Sequence, residues 1–302
     1  MHPQRKAYLL ALLSIGFWCT MGTAFKLTLR HINPPLLLFF ATSVAFIFLF
    51  VVSAFSGRLK SVRALSGRDL LSSALMGLFN PFLYYMVLFK AYSMISAQEA
   101  VTLNYLWPVM LVIFSIIFLR QRVTVAGFCA ILISFSGTVI IAAHGDLSNF
   151  SFASLPGDCL AAGSSLFWAS FWILNMKDRR DDIAKMMMNF LFGLIYIAVW
   201  NLATGNLALP SVKALAGSVY IGIFEMGLTF VVWLTALKLS SNTARISNLV
   251  YISPFLSLVL VSVFVGEKIL ASTVLGLVVI VSGILLQAYA NRKIRREQPK
   301  EE

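Results

Sequence analysis

Ten stretches of about 20 mostly apolar residues, separated by short charged segments, dominate this chain of 302 residues. They cover residues 7–29, 35–55, 70–91, 97–119, 123–143, 156–176, 184–204, 214–237, 243–265 and 271–290. A helix rises about 1.5 Å per residue, so each can cross a hydrocarbon core about 30 Å thick. Inside lipid every backbone amide must bond within its own segment, and for these lengths that means a helix. The alternating ten-residue pattern of a membrane β-barrel does not occur. The expected fold is an all-α integral membrane protein of ten transmembrane helices. Composition agrees: 59% of residues are hydrophobic and 12% charged, where soluble domains carry about a quarter charged. Arg5 and Lys6 precede the first stretch, as in a secretion signal. That apolar run is too long for a signal core, no small-residue cleavage site follows it, and it is expected to remain as the first span.

The net charge of +12 does not point to nucleic acid, because the charges lie in short loops and form neither a stripe nor a block. With a cytoplasmic N-terminus, the inside segments collect nearly all Lys and Arg, while the outside segments keep Arg30, Lys90, Lys213 and Lys268. Positive loop charge stays on the cytoplasmic side, so both termini are expected there. Cys19, Cys129 and Cys159 have no metal-ligand spacing and are expected to pack as apolar groups. No cofactor or metal is expected.

The chain also matches itself weakly at an offset near 146 to 150. Phe17-Trp18 aligns with Phe167-Trp168, and Gly77 and Phe79 align with Gly222 and Phe224. Asn104-Tyr105-Leu106-Trp107-Pro108 aligns with Val250-Tyr251-Ile252-Ser253-Pro254, and Ser136-Gly137 with Ser282-Gly283. The order of the matches implies a duplication, with one five-helix unit over 1–146, a second over 147–291 and a basic cytoplasmic tail over 292–302. Because five is odd, the second unit enters the membrane inverted. Inverted repeats are the architecture of alternating-access transporters, with the site near the midplane between the halves.

Ionisable groups inside a span cost roughly 2.5–3.5 kcal/mol on insertion scales and need a reason to be there. Glu225 lies mid-span among Phe224, Met226, Leu228 and Phe230, and its repeat partner is Asn80, followed by Pro81. Both are candidates for the substrate cavity. Glu99 and Arg245 are also repeat partners near span ends, and Lys26 lies towards the outer end of the first span; these are candidates for gating or coupling. Pro108 and Pro254 occupy matching places where proline would kink a helix and let half of it swing. Trp18, Tyr84, Tyr85, Tyr105, Trp107, Trp168, Trp172 and Trp233 fall inside spans, not at the interfacial belts where such residues usually gather. Their N–H and O–H groups want partners that a hydrated cavity would supply. Small residues such as Gly127, Ala130, Ser134, Gly137, Gly276 and Gly283 make the fifth and tenth spans look like close-packed support.

At Phe17-Trp18, at Asn104-Tyr105-Leu106-Trp107-Pro108 and at Gly266-Glu267-Lys268, the chain resembles the EamA-type branch of the drug/metabolite transporter superfamily. The resemblance runs over almost the whole length. After the fourth span the usual Gly-Glu is replaced by Arg120-Gln121-Arg122, in a cytoplasmic loop. The Asn-Tyr-Leu-Trp-Pro run is similar to that of the aromatic amino-acid exporters within the branch. The resemblance implies a central cavity lined by the first, third, fourth, sixth, eighth and ninth helices. It carries over Trp18, Tyr84, Tyr105, Trp107, Trp168 and Tyr251 as substrate-binding candidates.

The expected function is alternating-access export of small metabolites across a bacterial inner membrane, with amino acids, aromatic ones first, or related amphipathic solutes as substrates. The expected partners are a small-molecule substrate and the lipid bilayer, with no nucleic acid; proton coupling and the choice between monomer and homodimer stay open. There is no nucleotide-binding G-x-x-x-x-G-K-[ST] loop, and no H-E-x-x-H, G-x-S-x-G or intramembrane aspartate pair that would suggest an enzyme. The alternatives are a translocator of lipids or lipid-linked sugars and a small-molecule channel.

Overall fold

The structure, a computed structural model, describes residues 3–119, 125–142, 154–240 and 249–297. All regular structure among these residues is helical. In chain order the helices are α1 (Pro3–Leu29), α2 (Pro34–Phe55), the short α3 (Leu59–Arg63), α4 (Gly67–Gly77), α5 (Tyr84–Met94), α6 (Ala97–Asn104) and α7 (Trp107–Leu119). There follow α8 (Val125–Ala142), α9 (Leu155–Lys177), α10 (Asp182–Ala203), α11 (Val212–Ile221), α12 (Leu228–Leu239), α13 (Ser253–Val265) and α14 (Ala271–Glu297). Among the described residues, six stretches are long and apolar enough to cross a membrane: Pro3–Leu29, Pro34–Phe55, Gly67–Met94, Ala97–Phe118, Asp182–Ala203 and Val212–Leu239. Shorter apolar helices at Val125–Ile141, Leu249–Val265 and Ala271–Leu286, and α9, fall where the sequence places the other four spans. Large apolar side chains such as Leu71, Val263 and Phe264 stand exposed on the outside of the bundle, the surface that lipid covers.

Local sequence sets the helix starts. Asn33 caps α2 through Leu36 N, with Pro34 and Pro35 in the first turn, where a missing N–H costs nothing. Ser96 and Glu99 form a capping box that opens α6. Asp181 accepts from Ile183 N and Ala184 N at the start of α10.

Four departures from regular helix position the site, and they fall in two matched pairs. Between α4 and α5 the chain forms a π-helical segment, Leu78–Leu83, and between α11 and α12 another, Gly222–Gly227. Asn80 and Glu225 sit in these segments, and Asn80 has extended backbone (φ −147°, ψ 119°). The stretch 97–119 is not one kinked helix: it breaks at Tyr105 and Leu106, and Pro108 lies in the first turn of α7. A 3-10 turn, Leu249–Ile252, likewise precedes α13, whose first turn holds Pro254. Both prolines therefore begin helices at breaks instead of bending continuous ones. The Tyr105 hydroxyl donates to Val250 O at 3.2 Å, so the two breaks meet across the interior.

Close backbone approach explains two of the matched glycines. A Cβ on Gly77 would lie 2.4 Å from Asn189 O in α10, and one on Gly222 would lie 2.5 Å from Ala41 O in α2. Helices α8 and α14 pack as closely: a Cβ on Gly137 would lie 2.6 Å from Gly276 O, and Ser134 Oγ donates to Ile280 O. The three cysteines are free thiols; Cys19 is buried, but Cys129 and Cys159 are exposed on the helix surface and not packed inside.

Candidate functional site

The interior holds two adjoining cavities. The first, about 110 Å³, is walled by α1, α5, α6, α9 and α12 and includes Trp18, Tyr84, Tyr105, Trp107, Trp168 and Glu225. Trp107, Trp172, Trp233 and Val250 also line the second, of about 360 Å³, which reaches towards Leu237 and Ala288 at the end of the bundle that carries the basic loops. Tyr251 and Pro108 belong to this second chamber, as do Ala130, Ser134 and Ile284. The fifth and tenth spans thus wall a chamber as well as supporting the bundle.

The rings are held by one another. Tyr84 and Trp168 have centroids 4.7 Å apart, Trp168 and Phe230 5.8 Å, and Trp18 and Trp233 5.2 Å. Trp18 and Trp168, aligned in the sequence, both face the first cavity. The hydroxyls are fixed by hydrogen bonds. Tyr84 donates to Asn104 Oδ1 at 3.2 Å, and Asn104 Nδ2 donates to Ser164 Oγ at 2.8 Å. Tyr85 donates to Glu225 Oε1 at 3.0 Å. Glu225 is 6% exposed, and its second oxygen, Oε2, has no partner among the described residues. The π-helical segment around it widens the turn and brings this carboxylate to the wall.

Other sequence candidates lie elsewhere. Asn80, although matched to Glu225, is fully buried, has no partner for either side-chain atom among the described residues, and does not line the cavities. Glu99 Oε2 accepts from Ser96 N and Oγ at the start of α6. Lys26 Nζ donates to Tyr92 O and Ile95 O. Pro254 is buried at the start of α13. Arg245 lies outside the described residues. The sequence reading missed Asn104, Ser164 and Tyr92 as parts of this region. Asn104 was legible as the polar head of the Asn-Tyr-Leu-Trp-Pro run; Ser164 sat unmarked in a run of small residues.

At the end opposite the basic loops, hydrogen bonds tie the start of α6 to the end of α13. Gly266 ends α13 in the left-handed conformation (φ +82°), which glycine adopts without a Cβ clash. That turn delivers Glu267 to the start of α6, where its carboxylate accepts from Ala97 N at 3.0 Å and Gln98 N at 3.2 Å. Gln98 Nε2 donates back to Lys268 O at 2.9 Å. At the basic end, partial burial of Asp178 would push its carboxyl up, yet hydrogen bonds from Arg180 hold it below the usual carboxylate range. Arg180 also donates to Asp69 O and Ser73 Oγ of α4.

The description "EamA-like transporter family" matches this chain twice, over residues 5–143 and 155–289. The chain belongs to this family. It is a multi-pass membrane transporter of the drug/metabolite superfamily. An uncharacterized transporter of Clostridium kluyveri is 24% identical over 96% of this chain and 95% of its own length. The aromatic amino acid exporter YddG of Ancylobacter novellus is 25% identical over 85% of this chain and 88% of its own. A solved crystal structure at 22% identity superposes with a TM-score of 0.68, covering 97% of this chain and 99% of that one, which shows a shared fold. In the transporter, residues 144–154 separate the two family matches.

Proposed function

We propose that the transporter exports small amphipathic metabolites with a flat aromatic body, aromatic amino acids and related solutes, by alternating access across a bacterial inner membrane. The observation that carries this is the pair of adjoining aromatic cavities, extending towards the basic end. The printed name of the Ancylobacter relative supports aromatic amino acids as a starting class. In this reading ten spans form two inverted five-helix halves, 1–146 and 147–291, with both termini and the tail 292–302 in the cytoplasm. The matched π-helical segments, helix breaks and glycine contacts support that arrangement. Trp18, Tyr84, Tyr105, Trp107, Trp168, Glu225 and Tyr251 form the binding surface. Asn80 acts from behind it, and Lys26, Glu99, Pro108, Arg245 and Pro254 serve the movement between states.

The test is counterflow in proteoliposomes. A good ring pair adds about 0.5–1.5 kcal/mol beyond burial, so Trp18→Ala or Trp168→Ala weakens apparent affinity for aromatic solutes several-fold to about tenfold. Equal loss for aromatic and aliphatic solutes, tracking reduced membrane abundance, would return these rings to packing. Flux that never saturates would favour a channel.

A further inference from the structure

Among the described residues, Glu225 is the one charged side chain that lines either cavity. We infer that the polar handle this site prefers is an ammonium without a neighbouring carboxylate, so among aromatic solutes amines are taken ahead of amino acids. The inference rests on the exporter reading and narrows its substrate class.

The one charged group of the wall is also incompletely hydrogen-bonded. On the wall, Tyr84 and Tyr105 donate to Asn104 Oδ1 and Val250 O, and Tyr85 behind it donates to Glu225 Oε1. Asn104 is occupied on its other side by Ser164. Lys26 does not line the cavity; its ammonium is held by Tyr92 O and Ile95 O. Among the buried side-chain atoms of the wall, Glu225 Oε2 is the acceptor without a partner and the neutral Trp172 Nε1 the donor without one. A buried carboxylate oxygen left unpaired is costly, and an ammonium would supply both the missing hydrogen bond and the opposite charge. The same ammonium would be attracted to the ring faces of Trp18 and Trp168. A substrate carboxylate has no described cation to meet in this cavity and would approach Glu225 as a like charge. Rejecting solutes through such repulsion is a common source of specificity.

The experiment uses purified full-length protein in proteoliposomes and three indole solutes: tryptamine, tryptophan and indole-3-propionate. Tryptamine should exchange with at least tenfold lower half-saturation than tryptophan, and indole-3-propionate should be poorest. Glu225→Gln, checked for abundance and monodispersity, should lose that tenfold preference while still accepting indole solutes weakly. Tryptophan handled by the unmodified protein as well as tryptamine would overturn the inference and leave the exporter reading standing. So would a tryptamine preference that survives Glu225→Gln. Exchange of none of the three by monodisperse protein would defeat both. The comparison of solutes on unmodified protein needs no variant to fold.

Discussion

Truncating Glu267 should loosen the tie between α6 and the end of α13 and open the transporter at that end. The carboxylate receives the first two backbone N–H groups of α6, which otherwise have no helical partner. Each is a charge-assisted bond, and the negative charge also favours the positive end of the helix dipole. Glu267 is partly exposed, so water recovers much of the loss, and the clamp is worth about 1–2 kcal/mol. If the alternating cycle depends on this tie, Glu267→Ala raises the population open at this end by about 5- to 30-fold. Glu267→Gln keeps one acceptor and should fall between. The assay introduces Val101→Cys, which lines the first cavity, into a background with Cys19, Cys129 and Cys159 replaced. A membrane-impermeant maleimide is added from the Glu267 side. Its labelling rate at Val101→Cys should rise by that factor. An unchanged rate, with equal protein in the membrane, would refute the idea that this clamp governs access.

Three further outcomes are expected. Gly77→Ala should cost about 1–3 kcal/mol by overpacking, because its Cβ would meet the Asn189 carbonyl; thermal unfolding in detergent should show a lowered midpoint, and an unaltered one would mean α4 and α10 can part freely. Asp178 titrates below its ordinary value of 3.8 in the folded protein, so its contribution is complete above that value and lost as pH falls through the folded one; the unfolding midpoint should decline there, and Asp178→Asn should flatten the decline. Lys60→Cys and Leu209→Cys, both at exposed positions, should label from opposite faces of the membrane; labelling of both from one face would rule out the proposed topology.

Much of the architecture was legible because lipid makes length and apolarity nearly sufficient for a helix. The matches Gly77 with Gly222 and Pro108 with Pro254 pointed to backbone events, and the structure has π-helical segments and helix breaks there. The form of those events was not legible. A proline signals that a hydrogen bond is missing, but whether the helix bends or restarts depends on the neighbouring packing, here the bond from Tyr105 to Val250 O. Equivalence in sequence also failed to fix orientation: Asn80 and Glu225 occupy matched segments, yet only Glu225 reaches the cavity. Glu267 was visible as part of a motif, and its role depended on a partner 170 residues away.

The chain has six tryptophans, and Trp18, Trp107, Trp168, Trp172 and Trp233 line the two chambers. The sixth, Trp200, stands 46% exposed on α10. The protein's ultraviolet emission therefore comes mostly from the walls of its own binding space. A non-fluorescent amine entering that space should quench or shift the emission in proportion to occupancy. Replacing Trp200 with phenylalanine would remove the background from the periphery. Binding could then be titrated optically, without a label and before any flux assay is established.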